Sequence, residues 1–426
     1  MITRIQNALN ACGISLWRIN ETVEETAELF FVRKELDTRR VKDVHKYAVT
    51  VFRDVESSEG GQPRRGFTSA HLLASMDDGQ IVEELKSAYY AAQFAANPYY
   101  ELTDPVKAPL VEKTGELAEA PLAESAGKMA KALFAPDVHE DAFVNSAEVF
   151  VHRLCYRILS SEGTDVSYTD AQVKGEFVVQ CRQPEDVEIH NTYFYGELNE
   201  QALSDKVAEA LTFVRDRARA QKILKSGKYD LILSGNAVGA VLSYYQRRSA
   251  AQAIYARYST WQQGEDVQGE DTAGERLDIT LRAIDPYSEE GIPMADLPLL
   301  KGGRLQAYHG ANRICRYLGV KPTGGYEKLS CANGTVSFAE MKKKPCLWAV
   351  TFSDFQMDAM SGHFGGEIRL AYLIDGDTVT PVTGGSVNGS ILEAQKEFVF
   401  SADRYETGRY DGPYAVRIPN VSIAGE

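Results

Sequence analysis

The sequence is short of the groups on which most site chemistry is built. Its six cysteines, Cys12, Cys155, Cys181, Cys315, Cys331 and Cys346, include no CxxC pair. That spacing points to free thiols in a chain large enough to need no disulfide staples. The seven histidines, His45, His71, His139, His152, His190, His309 and His363, never fall in close pairs, so each reads first as a packed or surface residue. No GxxxxGK[ST] or GxGxxG pattern joins a strand to a helix. The pairs Gly302-Gly303, Gly324-Gly325, Gly365-Gly366 and Gly384-Gly385 therefore read as turn chemistry. GxSxG is also absent, and Ser243, in AVLSYY, lacks the strained elbow that exposes a serine nucleophile.

No window approaches the roughly 18 uninterrupted apolar residues of a membrane span. The opening MITRIQNALNACGISLWRIN alternates polar and apolar residues at helical spacing without the apolar core of a signal peptide. Both absences point to a soluble, cytoplasmic protein with no membrane role. Positive charge is in deficit as well: 46 Lys and Arg against 60 Asp and Glu leave a net charge of −14. The basic residues are dispersed apart from Arg39-Arg40 and Lys342–Lys344. Neutralising phosphates supplies most duplex affinity, so direct nucleic-acid binding is disfavoured.

What remains is an ordinary globular composition, 44% hydrophobic and 25% charged over 426 residues, long enough for two or three domains. Residues 1–20 read as a short helix and turn. Period-two alternation from Glu24 to Val55 and in GFTSAH predicts antiparallel strands. Asp77–Ala96 repeats Ile81, Leu85, Ala88, Ala92 and Ala95 at helical spacing behind two N-terminal acids. Residues 97–123, broken by Pro98, Pro105, Pro109 and Pro121, read as an extended connection. A short helix at Ala126–Leu133 and a strand meander over 143–195 follow. Asn199–Leu224 then predicts a capped helix with a basic last turn, lying over the first half.

Tyr229–Trp261 reads as an apolar strand, a Ser-Gly-Asn turn and one long helix. Gln262–Arg276, rich in acids and glycine, reads as an exposed, mobile loop. From Leu277 onward short strands alternate with Gly, Asp and Asn turns, and no internal repeat appears. The fold class expected is α+β. An N-terminal α+β domain with antiparallel sheets and helices spans 1–224, and a β-rich sandwich or barrel-like domain spans 225–426.

Five segments together carry a resemblance: residues 160–179 (SSEGTDVSYTDAQVKGEFVV), 226–242 (SGKYDLILSGNAVGAVL), 284–325, 361–392 and the terminal VRIPNVSIAGE. In that order they resemble the TldD/PmbA family of metallopeptidase-related proteins, also called modulators of DNA gyrase. The resemblance implies a two-domain protein that dimerises around an internal chamber. In the active type, peptides are held extended and cut at a metal bound by His-Glu-x-x-x-His and a cysteine near the C-terminus.

A zinc hydrolase needs imidazole or thiolate ligands and a carboxylate beside the metal-bound water. In the family register this chain places Ser243 at the first histidine, Tyr244 at the glutamate and Arg248 at the second histidine. The last cysteine is Cys346, far from the terminus. Hydroxyls and a guanidinium do not make a zinc site. The chain therefore resembles the non-catalytic, PmbA- or TldE-like subunit. No cofactor is expected in it, zinc being expected only in a TldD-like partner, with which it would form a heterodimer unless it pairs with itself.

The apolar stripe Val238, Val241, Leu242, Tyr245, Ala253 and Ala256 reads as core. Ser243, Tyr244, Arg247 and Arg248 lie off it or at its edge, on a solvated face or a docking face. Thr351–His363 is the candidate sheet edge for adding an unfolded peptide as a strand, with an ordinary hairpin as the plain alternative. Candidate cleft residues are Tyr244, Arg248, His309, Phe355, Met357 and His363. Two other readings stay open: a peptidase with a rearranged metal site, and a homodimer that binds peptides without cutting them. The acidic balance favours an indirect route for any influence on gyrase.

Overall fold

The structure, a computed structural model, describes residues 1–55 and 62–425. Its first half is built on an antiparallel sheet. In chain order the elements are α1 (Ile2–Ala11), β1 (Leu16–Val32), β2 (Glu35–Val55), β3 (Arg64–Leu73), α2 (Asp78–Ala92), β4 (Asn97–Pro98), α3 (Glu116–Glu119), α4 (Leu122–Phe134), β5 (Ala142–Ser160), β6 (Asp165–Cys181), β7 (Val187–Tyr195) and α5 (Glu200–Ala218). The strands run in the order β4-β3-β2-β1-β5-β6-β7.

Strand alternation places one face of this sheet under the helices. Ile5 and Leu9 of α1 and Ile81 and Leu85 of α2 pack with Val49, Val51 and Leu72. Met129 and Leu133 of α4 and Leu203, Val207 and Leu211 of α5 pack with Val149, Val151, Val173 and Phe177. The intervening residues, Glu148, Phe150, His152 and Lys174 among them, fall on the opposite face. α2 starts as its sequence predicts: Asp77 Oδ1 accepts from the Gln80 amide and Gln80 Oε1 accepts from the Asp77 amide, a capping box. The proline-rich connection is extended and touches β6 by bridges at Lys107–Asp165 and Val111–Tyr168.

The second half contains β8 (Gly227–Ser234), α6 (Asn236–Ser249), α7 (Ala251–Tyr255), β9 (Ile279–Arg282), β10 (Leu297–Lys301), β11 (Arg304–Leu305), α8 (Asn312–Leu318), β12 (Lys328–Cys331), α9 (Phe338–Met341), β13 (Cys346–Met357), β14 (His363–Asp375), β15 (Thr378–Val382), β16 (Ser386–Ser390), α10 (Ile391–Ala394), β17 (Val399–Phe400), β18 (Arg404–Glu406), β19 (Tyr410–Pro413) and β20 (Ala415–Ala424). One sheet runs β13-β8-β20-β16-β14, and β13 also pairs with β14. Those pairings close a five-stranded ring. A second, open sheet runs β11-β10-β9-β12-β19-β18. α6 lies in the core these sheets share, with Val238, Val241, Leu242 and Tyr245 buried beside Leu281, Leu329, Leu347 and Ile368. The α+β class, with antiparallel sheets and a barrel-like second half, is thus observed.

Two expectations are corrected. The long helix breaks at Ala250, whose backbone is extended (φ −60°, ψ 132°). The Ala251 amide donates to the His309 carbonyl at 2.8 Å, and Ser249 Oγ turns back onto the Tyr245 carbonyl at 2.8 Å. A long-range backbone bond thus takes the place of a helical one, and Ala251, rather than Ala253 or Ala256, is the buried alanine.

The acidic, glycine-rich Gln262–Arg276 is not a loose loop. Gln268 is 0% exposed. Its Nε2 donates to the Glu275 and Gln395 carbonyls at 2.8 and 2.9 Å, and its Oε1 accepts from the Leu277 amide at 3.0 Å. Asp266 pairs with Arg276 and Asp271 with Lys396. Two of its five acids, Asp266 and Asp271, are thus paired locally.

Candidate functional site

The two halves enclose a cavity of about 1640 Å3. One wall is the polar face of the first sheet, with Glu148, Phe150 and Lys174; a second is α5, with Lys206 and Glu209. The others are α6, the end of β13, and the hairpin of β18 and β19.

Glycine makes this closure fit. A Cβ on Gly408, in the hairpin turn, would fall 1.6 Å from Phe194 Cδ1, so the turn rests directly on β7. On Gly239 of α6 a Cβ would stand 3.0 Å from the Tyr410 ring, which lets the helix approach β19 closely.

α6 turns one small-residue face to the cavity: Asn236, Gly239, Ala240, Ser243 and, one turn on, Arg247. Ser243 Oγ is already committed, donating to the Ala240 carbonyl at 2.7 Å. Tyr244 is 3% exposed and lies between Tyr245 and Trp261, with ring centroids 5.3 and 5.6 Å away. Burial raises its pKa. Tyr244 is therefore core, contrary to the face the sequence assigned it, because Trp261 returns to cover it.

Arg248 also points away from the cavity. Its guanidinium lies 5.5 Å from the Trp261 ring centroid and donates to the Tyr258 carbonyl. These positions offer an engaged hydroxyl, a buried phenol and a cation, which do not fit zinc. Among the described residues no three His, Cys, Asp or Glu side chains stand together as a metal site.

Three sequence candidates do meet at the cavity: His309, Phe355 and Met357. His309 is 7% exposed, and its Nε2 stands 2.8 Å from the Gln246 carbonyl. A carbonyl can only accept, so Nε2 carries the proton. Burial lowers the His309 pKa, against that hydrogen bond, so the ring is held neutral and oriented.

Phe355 and Met357 sit on the strand singled out as an edge. β13 pairs with β8 only at Leu347–Ala349, in parallel, but with β14 as far as Met357. Beyond Ala349 its second edge carries no strand among the described residues. Bulges interrupt the β14 register between Ala349 and Phe355. Arg247 Nη1 reaches the Met357 carbonyl at 3.4 Å. His363 stands apart, on a pocket of about 390 Å3 beside Asn388, Ser390 and Asn420.

Sequence reading missed the α5 wall, where Lys206, Glu209, Tyr414 and Tyr405 gather from distant segments. Burial lowers the Lys206 pKa and raises that of Glu209, whose Oε1 accepts from Tyr414 Oη at 3.0 Å. The spacing of Lys206 and Glu209 on one helix face was readable, but the burial that perturbs them was not.

Residues 226–425 match the family described as the PmbA/TldA metallopeptidase C-terminal domain. A metalloprotease TldD homolog of Haemophilus influenzae is 30% identical over 134 residues, a stretch spanning 28% of this chain and 28% of that protein. TldE from Thermococcus kodakarensis superposes with a TM-score of 0.80 at 15% identity, covering 99% of this chain and 100% of its own. A putative modulator of DNA gyrase from Bacteroides thetaiotaomicron gives 0.80 at 16% identity, covering 100% of this chain and 99% of that one. One from Thermotoga maritima gives 0.77 at 15%, covering both chains fully. At such identities the structural likenesses speak for the fold. The domain match leads to one conclusion: residues 226–425 belong to the PmbA/TldD family.

Proposed function

We propose that this chain is a TldE-like, non-catalytic subunit of a cytoplasmic TldD-type metallopeptidase complex, completing the chamber and holding an unfolded peptide. The observation that carries the proposal is the pairing of β13. The Thr351–Met357 edge left open by β8 lies beside an α6 face bearing Arg247 and Ser243, the latter at the position of the family's first histidine. An open edge offers backbone hydrogen bonds to any extended chain regardless of its sequence. The large aromatic cavity beside it has room for the side chains. The metal and the water it activates belong to the partner, a subunit with His-Glu-x-x-x-His.

The test is purification of the tagged chain from its native cell under mild conditions. Recovery of a His-Glu-x-x-x-His homologue in one-to-one ratio supports the subunit reading. Recovery of the chain only with itself favours a homodimeric peptide binder instead. A chain that cleaves unfolded polypeptide by itself would make it a peptidase with a rearranged site. No helix among the described residues is long and apolar enough to cross a membrane.

A further inference from the structure

Lys206 is a cation with no hydrogen-bonded or ion-paired anion among the described residues. It lies on the α5 face that borders the cavity, one helical turn from Glu209. Among the described residues its ammonium group makes no hydrogen bond or ion pair. Lys206 is half-buried, and the partial desolvation of its charge lowers its pKa. Glu209, one turn along, offsets this only in part, and its Oε1 also accepts from Tyr414 Oη at 3.0 Å.

Two other cavity cations are engaged: Arg404 pairs with Glu406 and Asp411, and Arg247 reaches the Met357 carbonyl. The rings of Tyr195, Tyr405 and Tyr414 line the cavity together with Lys206. Ring faces that exclude water strengthen any charge pair formed beside them.

We propose that Lys206 is a binding residue for a carboxylate group of the peptide held in the cavity. The proposal rests on the peptide-holding reading above for the source of that carboxylate. A monoanion suits the site better than a phosphate, since Asp205 and Glu209 flank Lys206 on the same helix and would repel a dianion more strongly. The carboxylate completes a charge-assisted pair and favours the charged form of Lys206. An amide in the same place offers only a neutral acceptor and leaves the charge without a counter-ion.

The experiment is trinitrobenzenesulfonate labelling of the full-length chain at mildly alkaline pH, with the Lys206 peptide followed by mass spectrometry. N-acetylphenylalanine, N-acetylphenylalaninamide and N-acetylaspartic acid α-amide serve as probes. At saturation, a carboxylate probe should slow Lys206 labelling about tenfold, the size of one hydrogen bond to a charged group, while N-acetylphenylalaninamide leaves it unchanged. Protection by N-acetylphenylalanine assigns a C-terminal carboxylate; protection by the aspartyl amide alone assigns an acidic side chain. Equal slowing by N-acetylphenylalaninamide, or none by either acid, overturns the proposal. Labelling needs neither hydrolysis nor a partner, so it is decided even if the subunit reading fails.

Discussion

Tyr414 Oη donates to Glu209 Oε1 at 3.0 Å, joining the C-terminal β-rich half to the helix that covers the first sheet. This bond crosses the cavity wall, so it fixes α5 relative to the β19–β20 junction as well as holding Glu209 in place. Tyr414→Phe should lower stability by about 0.5–1.5 kcal/mol, the net worth of such a bond. Urea unfolding at neutral pH measures it.

Gly408 has no room for a side chain. Gly408→Ala should cost about 1–3 kcal/mol, as overpacking does, because the added methyl meets Phe194. Combining it with Phe194→Ala should return part of that loss. A double-mutant cycle in urea distinguishes this contact from a general intolerance of the turn.

Asp285 provides a pH signature. Burial, and then the charges of Asp170 and Glu327, push its carboxyl from the ordinary 3.8 up to about 6. The folded chain therefore keeps a proton that the unfolded chain gives up. The contribution of Asp285 to stability is whole below pH 4, falls as pH rises toward 6 and is flat above. Asp285→Asn should remove that decline, seen as a smaller change in unfolding free energy between pH 4 and 6.5 than in the unaltered chain.

Gln268 ties the 262–276 segment to the core. Gln268→Ala leaves the Leu277 amide and the Glu275 and Gln395 carbonyls without their partner. At about 1–3 kcal/mol for each buried group left unpaired, this substitution should exceed Tyr414→Phe in cost. The denaturant midpoint of the two variants, measured side by side, checks the ranking.

These contrasts also mark what the amino-acid sequence could convey. The alternation of β2 and β5–β7, the helix behind Asp77 and the Val238–Tyr245 stripe are local patterns that formed where they were expected, while β1 starts at Leu16, inside the stretch read as helix and turn. The break at Ala250 was not readable, because the His309 carbonyl that causes it comes from far along the chain. Nor was the order of Gln262–Arg276, whose Asp266 and Asp271 are answered by Arg276 and Lys396. At the site, the Thr351–His363 segment was singled out from its text, but Tyr244 was misplaced because Trp261 decides its burial. The α5 wall stayed hidden because its perturbed groups depend on tyrosines contributed by other elements.

The account turns on whether this chain depends on a partner for its metal. Zinc content and cleavage of a reduced, alkylated polypeptide, measured on the pure chain and again with a His-Glu-x-x-x-His homologue, test that directly. The account predicts neither stoichiometric zinc nor cleavage for the chain alone, and one zinc with chelator-sensitive cleavage for the pair. One zinc per chain with chelator-sensitive cleavage by this chain alone would contradict it.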